Sequence, residues 1–162
     1  MSTVTTQDIV ARNLKTVDRH FHNETPDLID EAIALYGDTI TWEIPARGLV
    51  LKTHAEVKQA YLDLFRSVRV HRIVNISRWG NENMVFDDAI FEFTITGDGY
   101  TNAPFPIGTR VSMRLLHSFE FDADGGIIRE NGYEIWRRAE DARLVQDEIP
   151  PTAVITEFDE PD

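Results

Sequence analysis

The chain has 162 residues, of which 42% are hydrophobic and 27% charged, no cysteine, and a formal net charge of -12 at pH 7. That length suits one domain burying about 68–70% of its unfolded surface, and without cysteine there are no disulfides, thiolate nucleophiles or cysteine-ligated metals. The excess of 28 acidic over 16 basic side chains would repel phosphate backbones and anionic lipid, which argues against nucleic acid or a membrane surface as partner and for a small neutral or cationic ligand.

The first residues, MSTVTTQDIV, show neither the basic start nor the apolar run of a secretory signal, and no stretch approaches about 18 uninterrupted apolar residues, so a cytoplasmic location is expected. From Gln7 to His22, Val10, Leu14, Val17 and Phe21 recur at steps of four, three and four, which predicts an amphipathic helix. Thr25-Pro26 reads as an N-cap and first helical position, with Leu28, Ala32, Leu35 and Tyr36 carrying a second helix to Gly37. Ile40, Trp42 and Ile44 alternate with polar residues before Pro45, the pattern of a half-buried strand. Thr53 and Glu56 stand in capping-box register before a third helix through Val57, Ala60, Tyr61, Leu64 and Phe65.

Four strands rich in β-branched and aromatic residues follow: Val70 to Trp79, Met84 to Thr96, Arg110 to Phe121 and Ile127 to Trp136. Turn signals separate them, so the group reads as an antiparallel meander closed by a hairpin. Helices first and strands afterwards predict an α+β fold. Residues 1–138 are expected to form the domain and 139–162 a solvated tail with three prolines, eight acids and one arginine, although Val154, Ile155 and Phe158 could pack back on the domain or a partner.

The helical half, the strand TWEIP after Leu35-Tyr36-Gly37-Asp38, and the hairpin HSFEFDADGGIIRENGYEIW resemble the SnoaL-like branch of the nuclear transport factor 2 superfamily over roughly Gln7 to Arg138. That resemblance implies a curved antiparallel sheet and three N-terminal helices around a cone-shaped, mostly apolar pocket, with GYTNAPFPIGTRV at its rim, and a homodimer. It leaves the reaction open, because the family includes isomerases, cyclases, dehydratases, epoxide hydrolases and binders without catalytic activity.

His20 follows Val17 by three residues, so its ring should graze the buried side of the first helix, while His22 should not. The resemblance places a catalytic tyrosine of the steroid isomerases near this position, which implies a donor or proton carrier; a satisfied helix histidine is the alternative. Met113, Leu115, His117, Phe119 and Phe121 share one strand face, on which His117 is the polar exception and needs a partner. The resemblance implies a polarising donor or base there, with a structural core histidine as the other reading. On the last strand it places Glu130, Gly132 and Glu134 inward and suggests Glu134 as the catalytic carboxylate, against the opposite parity with Tyr133 inside.

Asp88 shares a face with Met84, Phe86 and Ile90 and is the member of the Asp87-Asp88 pair expected to see the pocket, an edge or bulge position being the alternative. Tyr36, Trp42, Tyr61, Phe119 and Trp136 complete the expected ligand lining, though most aromatics are core by habit. Ile44 stands where the steroid isomerases carry their aspartate base, so their mechanism is not expected. There is no H-E-x-x-H, phosphate-binding glycine loop or nucleophile elbow, so neither metal nor cofactor is expected.

The sequence therefore points to a cofactor-independent acid/base enzyme, an isomerase, cyclase or lyase, acting on a small, largely apolar substrate of aromatic or polyketide-like type. Its rivals are a binding protein with the same pocket and an interaction or dimerisation module. A cone packed solid with Phe and Leu side chains, leaving no cavity of about 300 Å³, would be the module's signature and would defeat both small-molecule readings.

Overall fold

A computed structural model describes residues 4–142 and 147–158. Helix α1 (Thr6–Asn23) opens with a capping box in which the Thr5 hydroxyl accepts from the Asp8 amide at 3.2 Å and the Asp8 carboxylate accepts from the Thr5 amide at 2.9 Å. Helix α2 (Ile29–Ile33) is shorter than the sequence pattern predicts. Tyr36, expected to end that helix, instead begins strand β1 (Tyr36–Ile44) and lies beside Ile127, whose amide donates to the Leu35 carbonyl at 3.0 Å. Tertiary pairing here overrides local helical spacing.

A 3-10 turn over Pro45–Arg47 leads to β2 (Leu49–Leu51), and α3 (His54–Ser67) starts at the expected Thr53–Glu56 capping box. The meander is β3 (Val68–Gly80), β4 (Met84–Ile95), β5 (Arg110–Phe121) and β6 (Ile127–Ile135), followed by a helical turn α4 (Ala139–Ala142) and β7 (Val154–Glu157). Strand order is β2-β1-β6-β5-β4-β3-β7, with β1 and β6 parallel and the other pairs antiparallel. The sheet is thus open and mixed, not purely antiparallel, because β1 returns beside the last meander strand after a long crossover.

Register shifts between Val70 and Arg72 and between Asn75 and Ser77 mark irregularities in β3 of the kind that bend a sheet. α1, α2 and α3 contribute Val17, Ile29, Ala32, Val57 and Tyr61 to one apolar cluster with Tyr36, Ile40, Trp42, Ile44 and Phe119. A second cluster gathers Phe93, Ile95, Tyr100, Val111 and Met113, with Trp136 packed against it. In the tail, β7 pairs with the edge of β3 while all four of its residues stay exposed, so backbone hydrogen bonds hold it there and not side-chain burial. Among the described residues no helix is long and apolar enough to cross a membrane.

Candidate active site

Strand register assembles the inner sheet face. Trp42 of β1 and Phe119 of β5 both pair with Glu130 of β6, and one step along His117 pairs with Gly132. Glu130, Gly132 and Glu134 therefore point inward, while Tyr133 and Ile135 are exposed. Gly132 leaves room for Ile44: a Cβ there would come within 2.5 Å of Ile44 Cδ1, the end of a flexible side chain that would have to shift.

Helix α1 lowers His20 onto this row. Its side chain is fully buried, with Nε2 3.3 Å from Glu130 Oε2 and 3.0 Å from Glu24 Oε1, one helical turn away. Tyr36 donates to Glu130 Oε2 at 2.6 Å, and Tyr61 shares its single O–H between Glu130 Oε1 at 3.0 Å and Glu24 Oε1 at 3.2 Å. Burial alone would strip the charge from His20, but the facing Glu130 and Glu24 carboxylates overcome it and hold the imidazole at about 10, above its ordinary 6.5. Burial opposes ionisation of Glu130 too, yet His20, His117 and the Tyr36 hydroxyl lower it to about 2. His20 is thus an imidazolium and Glu130 a carboxylate at neutral pH. Burial, then the charge of Glu130, keeps Tyr36 and Tyr61 as neutral phenols that donate.

Glu134, expected as the catalytic carboxylate, meets Arg47. Arg47 Nε lies 3.0 Å from Glu134 Oε2, and Trp136 Nε1 donates to the same oxygen at 2.8 Å. Arg47 Nη1 donates to the Thr101 carbonyl at 2.9 Å, and its guanidinium lies over the Tyr100 ring at 4.5 Å.

His117 faces inward but sits apart from His20. Its Nδ1 is 3.8 Å from Asp87 Oδ2, too long for a hydrogen bond, and its ring stands edge-on to Phe21 at 5.1 Å. Burial works against its charge, while Asp87 and, farther off, Glu130 hold its pKa above the ordinary value. Asp87, rather than Asp88, is the inward carboxylate, and Arg78 Nε also donates to it at 2.8 Å. Asp88 lies on the opposite face, bonded to Arg114 at 2.5 and 2.6 Å, because adjacent strand residues point to opposite sides.

A cavity of about 40 Å³ opens between α3, the 3-10 turn and the 97–108 loop, lined by Trp42, Arg47, Leu64, Tyr61, Tyr100 and Thr101 among others. It is far smaller than the expected pocket of about 300 Å³. Trp42 and Tyr61 line it, whereas Tyr36 and Phe119 pack around His20, and Trp136 joins the second cluster. Tyr61 is the residue shared by cavity and polar network.

Glu24, Glu130 and Arg47 were not singled out as site residues from sequence. The His20–Glu24 spacing of four was a usable signal; Arg47, in a short turn, carried none. Among the described residues, His20, Glu24 and Glu130 form a group that could hold a metal ion, with ligand atoms within 4.8 Å of one another.

No family model matches the sequence, and no curated protein matches it as a relative. Solved structures match in fold. An NTF2-like protein from Burkholderia xenovorans aligns with TM-score 0.64 at 12% identity, covering 82% of this chain and 93% of that one. A LEH-like epoxide hydrolase from M. tuberculosis aligns with TM-score 0.58 at 15% identity, covering 78% and 84%. SalBIII, an epoxide hydrolase/cyclase-like enzyme with a role in pyran ring formation in salinomycin, aligns with TM-score 0.60 at 16% identity, covering 77% and 92%.

Proposed function

From the premise that this chain has the SnoaL-like, nuclear transport factor 2-like fold, we propose that it is a cofactor-independent acid/base enzyme of isomerase, cyclase or lyase type. The observation that carries this reading is Tyr61, which walls the cavity while its hydroxyl bonds Glu130 at 3.0 Å and approaches His20 Nε2 at 3.4 Å. A group entering the cavity would meet the Tyr61 side chain, whose hydroxyl connects to a buried imidazolium and two carboxylates. His20 and Glu130 would supply and take up the proton through Tyr61, with Tyr36 holding the carboxylate and His117, when protonated, adding positive charge behind it. The small cavity fits a compact substrate better than a polyketide-sized one.

The test is exchange of the α-protons of 2-butanone and cyclopentanone in deuterated buffer. The wild type should accelerate exchange over buffer, and Tyr61→Phe should lose roughly 10²-fold or more of that acceleration, the usual worth of a positioned acid/base group. No acceleration by the wild type would sink the reading.

The cavity size favours a second reading, an interaction module that pairs through its outer sheet face as a homodimer. Trp79, Tyr133 and Ile135 are exposed by 57%, 48% and 55%. Sedimentation measures it: the module reading expects a dimer that Tyr133→Lys with Ile135→Lys disperses, and a wild-type monomer counts against it.

A further inference from the structure

We infer that Arg47 is the anchor of the cavity and that the ligand it receives presents a neutral carbonyl oxygen, not a carboxylate. This inference rests on the cavity being a ligand site and adds the chemical class of its occupant.

Arg47 is a constructed position. Its side chain is only 6% exposed, and Glu134 fixes Nε while the Thr101 carbonyl takes Nη1 and the Tyr100 ring supports the guanidinium plane. Asn102, in the left-handed region at φ 57, donates from Nδ2 to the Arg47 carbonyl at 2.8 Å, so the 97–108 loop and the turn are tied from both sides. After these bonds, Nη2 makes no hydrogen bond to any described residue, although Arg47 lines the cavity. Its N–H groups are the donors left for an occupant.

Charge decides what that occupant is. The other lining residues, Trp42, Leu49, Tyr61 and Leu64 among them, carry no formal charge. The positive charge of Arg47 is already matched by Glu134, 2% exposed and 3.0 Å away. A carboxylate at Nη2 would add a second negative charge beside Glu134 in a largely desolvated place, which is costly. A ketone, ester or amide oxygen accepts the same N–H at no charge cost, and the charged donor strengthens that bond. The aliphatic part of such a ligand would lie against Trp42, Leu49 and Leu64.

2-Butanone and propionate test this, being nearly the same shape with a methyl in one replaced by a charged oxygen in the other. Titrated into the ¹⁵N-labelled protein, 2-butanone should move the Leu64, Gly99 and Thr101 amides and the Arg47 Nε–H resonance along one saturating curve. Propionate should bind at least ~10-fold more weakly. Arg47→Met would leave the buried Glu134 carboxylate without a countercharge, with only the Trp136 N–H donating to it, so the Arg47→Met/Glu134→Gln double variant is the comparison, its fold checked by circular dichroism. It should lose at least ~10-fold in 2-butanone affinity, the low end for a hydrogen bond to a charged group. Propionate binding as tightly as 2-butanone, an unmoved Arg47 resonance, or a folded double variant that binds with smaller loss overturns the inference. Arg47-dependent binding without α-proton exchange would instead overturn the acid/base reading and leave this one standing.

Discussion

His20 Nε2 and Glu130 Oε2 approach to 3.3 Å with 0% and 2% of their side chains exposed, and their mutual attraction, raising the His20 pKa and lowering that of Glu130, favours an opposed pair of charges in the protein interior. Taking both charges out of water is expensive, and their attraction repays it only where the remaining donors and acceptors are satisfied. Tyr36 and Tyr61 satisfy the Glu130 carboxylate and Glu24 adds a second acceptor at His20 Nε2, while His20 Nδ1 stays buried without a hydrogen-bond partner among the described residues.

Removing one partner should be worse than removing both. Glu130→Leu removes the buried carboxylate facing His20 and leaves the imidazolium only the part-exposed Glu24, so it is expected to cost up to about 3–5 kcal/mol, whereas His20→Leu/Glu130→Leu should recover much of that loss. Urea denaturation of both variants measures it; a double variant no more stable than the single one contradicts the pairing.

The same pair sets a pH window. His20 is raised from 6.5 to about 10, so its contribution is complete below about 6.5 and fades as pH rises through 10. Glu130 is lowered from 4.5 to about 2, so its contribution is complete above about 4.5 and fades as pH falls through 2. The stability difference between wild type and His20→Leu/Glu130→Leu should therefore peak between about pH 4.5 and 6.5 and shrink on both sides. A pH-independent difference would show that the pair does not titrate on unfolding.

Tyr61 separates stability from chemistry. Tyr61→Phe keeps the ring against Trp42 and Phe65 but removes the hydroxyl, and Glu130 retains Tyr36 and His20. Its stability cost should stay near ~1–3 kcal/mol while α-proton exchange falls by roughly 10²-fold or more. Equal exchange rates in the two proteins would remove Tyr61 from the chemistry.

Gly132 admits Ile44 between β1 and β6. Gly132→Ala places a Cβ 2.5 Å from Ile44 Cδ1, an overpacking that the flexible end of Ile44 partly relieves, so its cost is expected at the low end, about 1 kcal/mol. Because Val lacks that Cδ1, Ile44→Val should be less harmful in the Gly132→Ala background than alone. Thermal unfolding of the four proteins in the cycle gives the coupling, and strictly additive losses would refute the contact.

Local pattern alone determined much of this protein. The stripe of α1 turned His20 toward the core and left His22 exposed, the Thr53–Glu56 box started α3, and period-2 alternation put His117 on the inner face of β5. These are nearest-neighbour effects, fixed by 3.6- and 2-residue periodicities and by caps that need no distant partner. Only the tertiary structure decided who meets whom. The parallel register of β1 on β6 drew Tyr36 out of its predicted helix and set Glu130 beside Trp42, making Glu130 the carboxylate of His20. Glu134, four residues on along the same face, met Arg47, 87 residues away in sequence and carried by a turn with no periodic signature. Both carboxylates are equally inward by alternation, so their partners depended on strand register and loop placement, which are set by the sum of packing over the whole sheet.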